Sequence, residues 1–240
     1  MSSRFSGVGQ QGNRGFLCLR RCLRDIGKAR ADLPKAMRTT FGDAPSSHDL
    51  PVVDAIVVGA SAGGVEALLK IFSYLGPDFG LPILTVLHVP EDRRSQLAHV
   101  FQNRLAIPVK EADDKEDIVP GTLYFAPPGY HVSVESDFSL SLSQEDRVFY
   151  SRPSIDILFG SAADAYGPRL AGILLTGANN DGARGLMQIK KYGGFTVIQD
   201  PSQAQVSTMP EAGLALHAPD YLLSLNDIGR LLVELERTAC

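Results

Sequence analysis

The chain has 240 residues, of which 44% are hydrophobic and 21% charged, with a net charge of −4; this suits a globular protein of one domain with a tail or two small domains, and excludes a disordered chain. Only three cysteines, Cys18, Cys22 and Cys240, are present, and no apolar run approaches the ~20 residues of a membrane span, so neither a disulfide scaffold nor membrane insertion is expected. The expectation is a cytoplasmic protein. Cys18 and Cys22 share a C-x-x-x-C spacing, but nothing completes a tetrahedral zinc site, and no metal is expected.

Residues 1–40 carry nine basic against two acidic residues, a local charge of +7 that leaves −11 on the remainder. Such an arm can dock on an acidic surface or on nucleic acid, or be an unstructured leader. It holds no recognisable binding motif, so no nucleic-acid partner is expected. Gly42–Leu50 (GDAPSSHDL) is a polar linker, which predicts a poorly ordered arm and linker over 1–50 and a folded domain over 51–240.

Beyond the linker the texture changes. Val52–Val58 (VVDAIVV) has the β-branched density of a buried strand. GASAGG follows, then a helical pattern over Val65–Leu75. Ile83–Leu87 (ILTVL) predicts a strand that ends at His88, and Ser95–Leu105 a helix. A short segment at Val109, a strand Thr122–Ala126 and a hairpin from Val132–Val134 and Phe138–Leu142 come next. Helix Ile155–Tyr166, strand Leu170–Leu175, helix Gly182–Tyr192, strand Phe195–Gln199 and helices Glu211–Leu216 and Ile228–Thr238 complete the chain. Strands alternating with helices predict an α/β fold: a doubly wound, mainly parallel sheet with helices on both faces, the hairpin adding an antiparallel piece at an edge.

Open α/β sheets bind ligands beyond the carboxyl ends of their strands. Three such ends carry reactive side chains: Ser61, His88 and Asp181. A serine hydroxyl is a weak nucleophile until an imidazole takes its proton. The imidazole in turn needs a carboxylate to set its tautomer and stabilise its cation. Each residue also has a plainer explanation. GASAGG could be a phosphate-binding turn, although its glycine spacing is neither G-x-G-x-x-G nor that of a P-loop. His88 could be structural, and Asp181 a turn residue or helix cap. The chain order Ser, His, Asp and the absence of G-x-S-x-G disfavour an ordinary α/β-hydrolase. A nucleotide-binding protein and a non-catalytic signalling module remain as alternatives.

Six collinear segments carry a family resemblance: Val57–Ala67 (VVGASAGGVEA), Leu87–Pro90 (LHVP), Leu123–Pro127 (LYFAP), Arg152–Phe159 (RPSIDILF), Leu174–Ala183 (LLTGANNDGA) and Gln199–Ala212 with Met209-Pro210-Glu211-Ala212. Over roughly residues 52–235 the chain resembles the catalytic domain of CheB-type chemotaxis methylesterases. The resemblance implies hydrolysis of glutamate γ-methyl esters on methylated chemoreceptor helices, with glutamine deamidation as a second activity. It implies no metal or organic cofactor. It assigns the nucleophile to Ser61, the base to His88 and the acid to Asp181. Ala62, Gly63, Gly177, Ala178 and Met209 are the candidates for oxyanion or substrate binding. Two positions depart from the family pattern: Ala62 replaces a threonine, and Ala178-Asn179 replaces Met-Gly. Arg152 and Asp156 are expected either to cap a helix and form a salt bridge or to support the site. Family members typically begin with a phosphorylatable receiver domain. The basic residues 1–50 lack its strand–Asp pattern, so the expectation is no such control in cis, and either an open site or a separate regulator in trans.

Overall fold

The computed structural model describes residues 50–88 and 96–239. The basic arm, nearly all of the linker, the residues just after His88 and all three cysteines lie outside the described residues.

Seven parallel strands form one sheet in the order β3-β4-β2-β1-β7-β8-β9. They are β1 (Ala55–Ala60), β2 (Ile83–Leu87), β3 (Val109–Glu111), β4 (Leu123–Phe125), β7 (Leu170–Leu174), β8 (Phe195–Gln199) and β9 (Tyr221–Leu223). The helices are α1 (Gly64–Phe72), α2 (Leu97–Gln102), α3 (Ile155–Tyr166), α4 (Ala183–Lys191), α5 (Thr208–Leu216) and α6 (Leu225–Ala239). Every residue of β1, β2, β7 and β8 is buried, as expected for parallel strands covered on both faces.

Alternate side chains of each strand enter opposite cores. From β1, Ile56 and Val58 join Leu68, Ile71, Phe72, Phe101 and Leu231 under α1, α2 and α6. Val57 on the other face joins Phe159, Leu186 and Met209 under α3, α4 and α5. Burying this apolar surface is the main driving force for the fold.

Two features differ from the sequence expectation. The hairpin, β5 (His131–Val134) with β6 (Leu140–Ser143), does not extend an edge of the main sheet; it forms its own two-stranded antiparallel sheet. The reason is that Val132, Val134 and Leu140 bury into the cluster around Phe159 on α3, which turns the hairpin onto a face. The edge strand β9 has no counterpart in the sequence reading, because three residues are too few to display a period.

After β1 the chain runs outward through β2 to β4 and β3, then crosses back to β7 on the other side of β1. The carboxyl ends of β2, β1 and β7 therefore flank the point where strand order reverses, the usual ligand position in such sheets. Among the described residues no helix is long and apolar enough to cross a membrane. Among the same residues there is no group of three or more His, Cys, Asp or Glu able to hold a metal ion.

Candidate active site

Ser61 is the first residue after β1 and His88 the first after β2. Ala60 pairs with Leu87 across the two strands, so the two side chains leave the sheet side by side. The His88 amide donates to the Ala60 carbonyl at 3.1 Å, and the Ser61 amide donates to the Thr176 carbonyl beyond β7 at 2.9 Å. Ser61 is thus held between the ends of both neighbouring strands. The Thr176 hydroxyl donates to the Ala62 carbonyl at 2.8 Å and accepts from the Val206 amide at 2.9 Å, which fixes the far side of the same turn. Gly63 completes the turn with φ +79°, and a Cβ there would meet the Gln205 side chain at 2.4 Å. Both the left-handed backbone and the close approach require glycine.

His88 Nε2 lies 2.9 Å from Asp181 Oδ2. A carboxylate can only accept, so Nε2 carries the proton and Nδ1 is left as the basic nitrogen. Nδ1 faces the Ser151 hydroxyl at 3.4 Å. Among the described residues the Ser61 hydroxyl makes no hydrogen bond to the imidazole; such contacts in unliganded sites are commonly long and tighten when substrate binds.

Asp181 is fully buried, and its carboxylate is held by the start of α3. Oδ1 accepts from the Ser154 hydroxyl at 2.9 Å and the Asp156 amide at 3.0 Å; Oδ2 accepts from the Ile155 amide at 2.7 Å. These amides belong to the first turn of a helix, where N–H groups lack intrahelical partners and the helix dipole favours negative charge. Ser154 is also the N-cap, its oxygen accepting from the Ile157 amide at 3.4 Å. Behind it, His131 Nδ1 accepts from the Ser154 amide at 3.1 Å and Nε2 donates to the Asp146 carbonyl at 3.2 Å. Burial holds the His131 pKa below its ordinary value, aided by the Arg152 charge, which keeps the ring in the neutral form that can accept from Ser154. A hydrogen-bonded chain therefore runs from the hairpin through His131, Ser154 and Asp181 to His88.

Asp156 shares this neighbourhood. Its carboxylate accepts from the Gly185 amide at 2.7 Å, at the start of α4. Burial, with a smaller push from the Asp181 charge, raises its pKa to about 6. An acid whose folded pKa exceeds its unfolded value binds protons more tightly when folded, so stability declines as pH rises from about 4 to about 6. Asp156→Asn keeps an acceptor for Gly185 and removes the charge. The variant is expected to be more stable than the parent above pH 6, on the order of 1 kcal/mol, with no difference near pH 4. Chemical denaturation across that range checks this.

The other expected residues fall into two groups. The amides of Ala62, Gly63 and Ala178 donate to no acceptor among the described residues, and all three border the Ser61 turn or the loop after β7. The Gly177 amide is already given to the Val206 carbonyl at 3.1 Å, so it is not a free oxyanion donor. Met209 is fully buried and packs beneath Gly177, where a Cβ would meet its Cε at 2.5 Å. Arg152 supports from outside, donating to the Gln144 and Glu145 carbonyls at 2.9 and 3.0 Å. A cavity of about 580 Å³ adjoins the Ser61 turn at Gly63, lined also by Lys70, Thr176, Gln199, Gln205 and Asn226; Ser61, His88 and Asp181 are not among its walls.

Sequence reading missed Ser151, His131 and the double role of Ser154. Ser154 carried a signal, a serine directly before the apolar run of a helix. Ser151 and His131 carried none, since each reaches the site only through tertiary contacts.

The family model for CheB methylesterase matches residues 56–232. The chain belongs to the CheB methylesterase family. The solved CheB methylesterase catalytic domain of Thermotoga maritima superposes with a TM-score of 0.73 at 30% identity, covering 77% of this chain and 100% of that one. The protein-glutamate methylesterase/protein-glutamine glutaminase of Paraburkholderia xenovorans is 38% identical over 200 residues, 81% of this chain and 55% of that one. The protein-glutamate methylesterase FrzG of Myxococcus xanthus is 35% identical over 184 residues, covering 77% and 55% of the two chains. A relative from Leptospira interrogans is 42% identical over 184 residues, 77% of this chain and 95% of its own length. Within the CheB methylesterase family, the Ser61 turn, His88 and Asp181 all fall inside the matched span.

Proposed function

We propose that this chain hydrolyses glutamate γ-methyl esters on the helices of methylated chemoreceptors, with residues 51–240 as the catalytic unit and Ser61, His88 and Asp181 as its triad. The observation that carries the reading is the His88–Asp181 pair at 2.9 Å, its carboxylate fully buried, set directly beside Ser61 on the adjoining strand. Asp181 holds Nε2 protonated, which leaves Nδ1 to take the Ser61 proton. Ser61 Oγ then attacks the ester carbonyl. The developing oxyanion meets amide donors from Ala62, Gly63 or Ala178, near the start of α1. Protonated His88 returns the proton to the leaving methoxide, and methanol departs. Water, deprotonated at the same nitrogen, cleaves the acyl-enzyme and restores free glutamate. A glutamine γ-amide fits the same sequence, with ammonia as the leaving group.

The chemoreceptor as substrate rests on the family's relatives, whose names carry protein-glutamate methylesterase activity. The test is methanol release from a methylated receptor fragment, with a fluorophosphonate probe to label the nucleophile. Time-dependent methanol release and labelling at Ser61 are expected. A folded protein that releases no methanol and takes up no probe would instead be a binding module that retains the fold.

A further inference from the structure

Just ahead of α3 the chain makes a tight two-residue turn, Val148–Ser151. It is closed by two hydrogen bonds, Val148 amide to Ser151 carbonyl at 3.1 Å and Ser151 amide to Val148 carbonyl at 2.8 Å. The central residues are Phe149 and Tyr150, with φ of 48° and 62°. This mirror-image turn needs the left-handed region at both positions, which Asn-Gly adopts readily and bulky side chains resist. Two aromatic residues are about the least suitable occupants.

The fold gains little from them. Tyr150 is 93% exposed, the most exposed large apolar side chain among the described residues. Phe149, 36% exposed, has the Arg184 guanidinium 5.8 Å from its ring, a contact that aims the ring, and it joins neither hydrophobic core. Unfavourable backbone geometry that supports no core is characteristic of functional segments. The turn's position gives it a use: Ser151, which closes it, is 3.4 Å from His88 Nδ1, and Asn179 reaches the same hydroxyl at 3.5 Å. The aromatic tip is therefore the rim of the candidate catalytic centre.

We propose that Phe149 and Tyr150 seat the protein substrate, gripping the polypeptide that flanks the ester once the ester has reached Ser61. The inference rests on the methylesterase reading above. The occupant is the ester-bearing polypeptide segment, because the surface is continuous with the reacting centre and exposed aromatic rings are the side chains that dominate protein interfaces. The turn acts in binding, and no bond changes there.

The test uses the full chain carrying F149N/Y150G, which writes the turn's preferred sequence and removes both rings, and separately Tyr150→Ser, which changes a ring that stands in solvent. The double variant is expected to unfold at a higher temperature than the parent, since the backbone is relieved. For a methylated receptor fragment its KM should rise about tenfold or more, while kcat falls by less. Fluorescence anisotropy of the labelled fragment, in a Ser61→Ala background where no turnover is needed, should show the same loss of affinity. Tyr150→Ser should show a smaller loss in the same direction. Unchanged KM and affinity in a folded variant overturn the proposal, as does a fall in kcat without a rise in KM, which would mean that the turn serves only to place Ser151 against His88. Turnover of p-nitrophenyl acetate by the unsubstituted protein reports the hydrolase reading separately. If the parent neither hydrolyses that ester nor binds the fragment, both readings fall together; if it hydrolyses the ester and the variant binds the fragment normally, only the role of the turn is lost.

Discussion

Ser61→Ala is expected to lower kcat for methyl-ester hydrolysis on the order of 10⁴-fold or more, with KM little changed. Without the hydroxyl there is no acyl-enzyme. What survives is the catalysis supplied by oxyanion donors and substrate positioning. Stability should be nearly untouched, within about 0.5 kcal/mol. The contacts that hold residue 61 are its amide to Thr176 and its carbonyl, which accepts from the Gly64 amide at 2.7 Å, and alanine keeps both. A large loss of rate in a fully stable protein separates a chemical role from a structural one. Methanol release and thermal unfolding on the same preparation decide it. Activity within tenfold of the parent would remove Ser61 as nucleophile. Ser151, whose hydroxyl stands 3.4 Å from the basic nitrogen, would then be the residue to replace.

Asp181 should behave differently, because its loss damages both chemistry and fold. The carboxylate receives four donors: His88 Nε2, the Ser154 hydroxyl and the amides of Ile155 and Asp156. In Asp181→Ala all four lose their acceptor in a dry interior. Each buried unsatisfied group costs about 1–3 kcal/mol, partly recovered if water enters, so a net destabilisation of about 2–4 kcal/mol is expected. Asp181→Asn is no milder. One end of an amide is an NH₂ group, and either orientation points it at a backbone N–H, of Ile155 on one side or Asp156 on the other. If it faces His88, the imidazole must present Nε2 as an acceptor and move its proton to Nδ1, where it can no longer take the Ser61 proton. A kcat loss on the order of 10⁴-fold is expected for either variant, with a lowered denaturation midpoint. An Asp181→Asn protein that retained both activity and stability would mean that His88 takes its tautomer from another group.

Much of the architecture follows from local pattern. The strands at Ile83–Leu87 and Phe195–Gln199 and the helix at Ile155–Tyr166 coincide with the residues predicted for them, because each is a strongly periodic or continuously apolar run bounded by turn residues. Boundaries slipped where the run extended past the paired segment. The first strand begins at Ala55 rather than Val52, since Val52 is 49% exposed and lies outside the sheet.

What sequence alone determined was most of the elements, β9 excepted, and the residue types at their ends: a serine in a glycine-rich turn, a histidine after an apolar strand and an aspartate ahead of a helix. These are local properties, set by hydrophobic period and turn chemistry over a few residues. Tertiary structure alone decided that β2 and β7 flank β1, that the carboxylate of Asp181 is held by the first turn of α3, and that Nδ1 is the nitrogen of His88 turned away from Asp181. It also turned the hairpin onto a face, buried Met209 beneath Gly177, and brought Ser151 and the aromatic tip of its turn to the rim. Each of these joins residues far apart in the chain, and no local pattern encodes a contact whose partner is chosen by strand order and by which core a side chain enters.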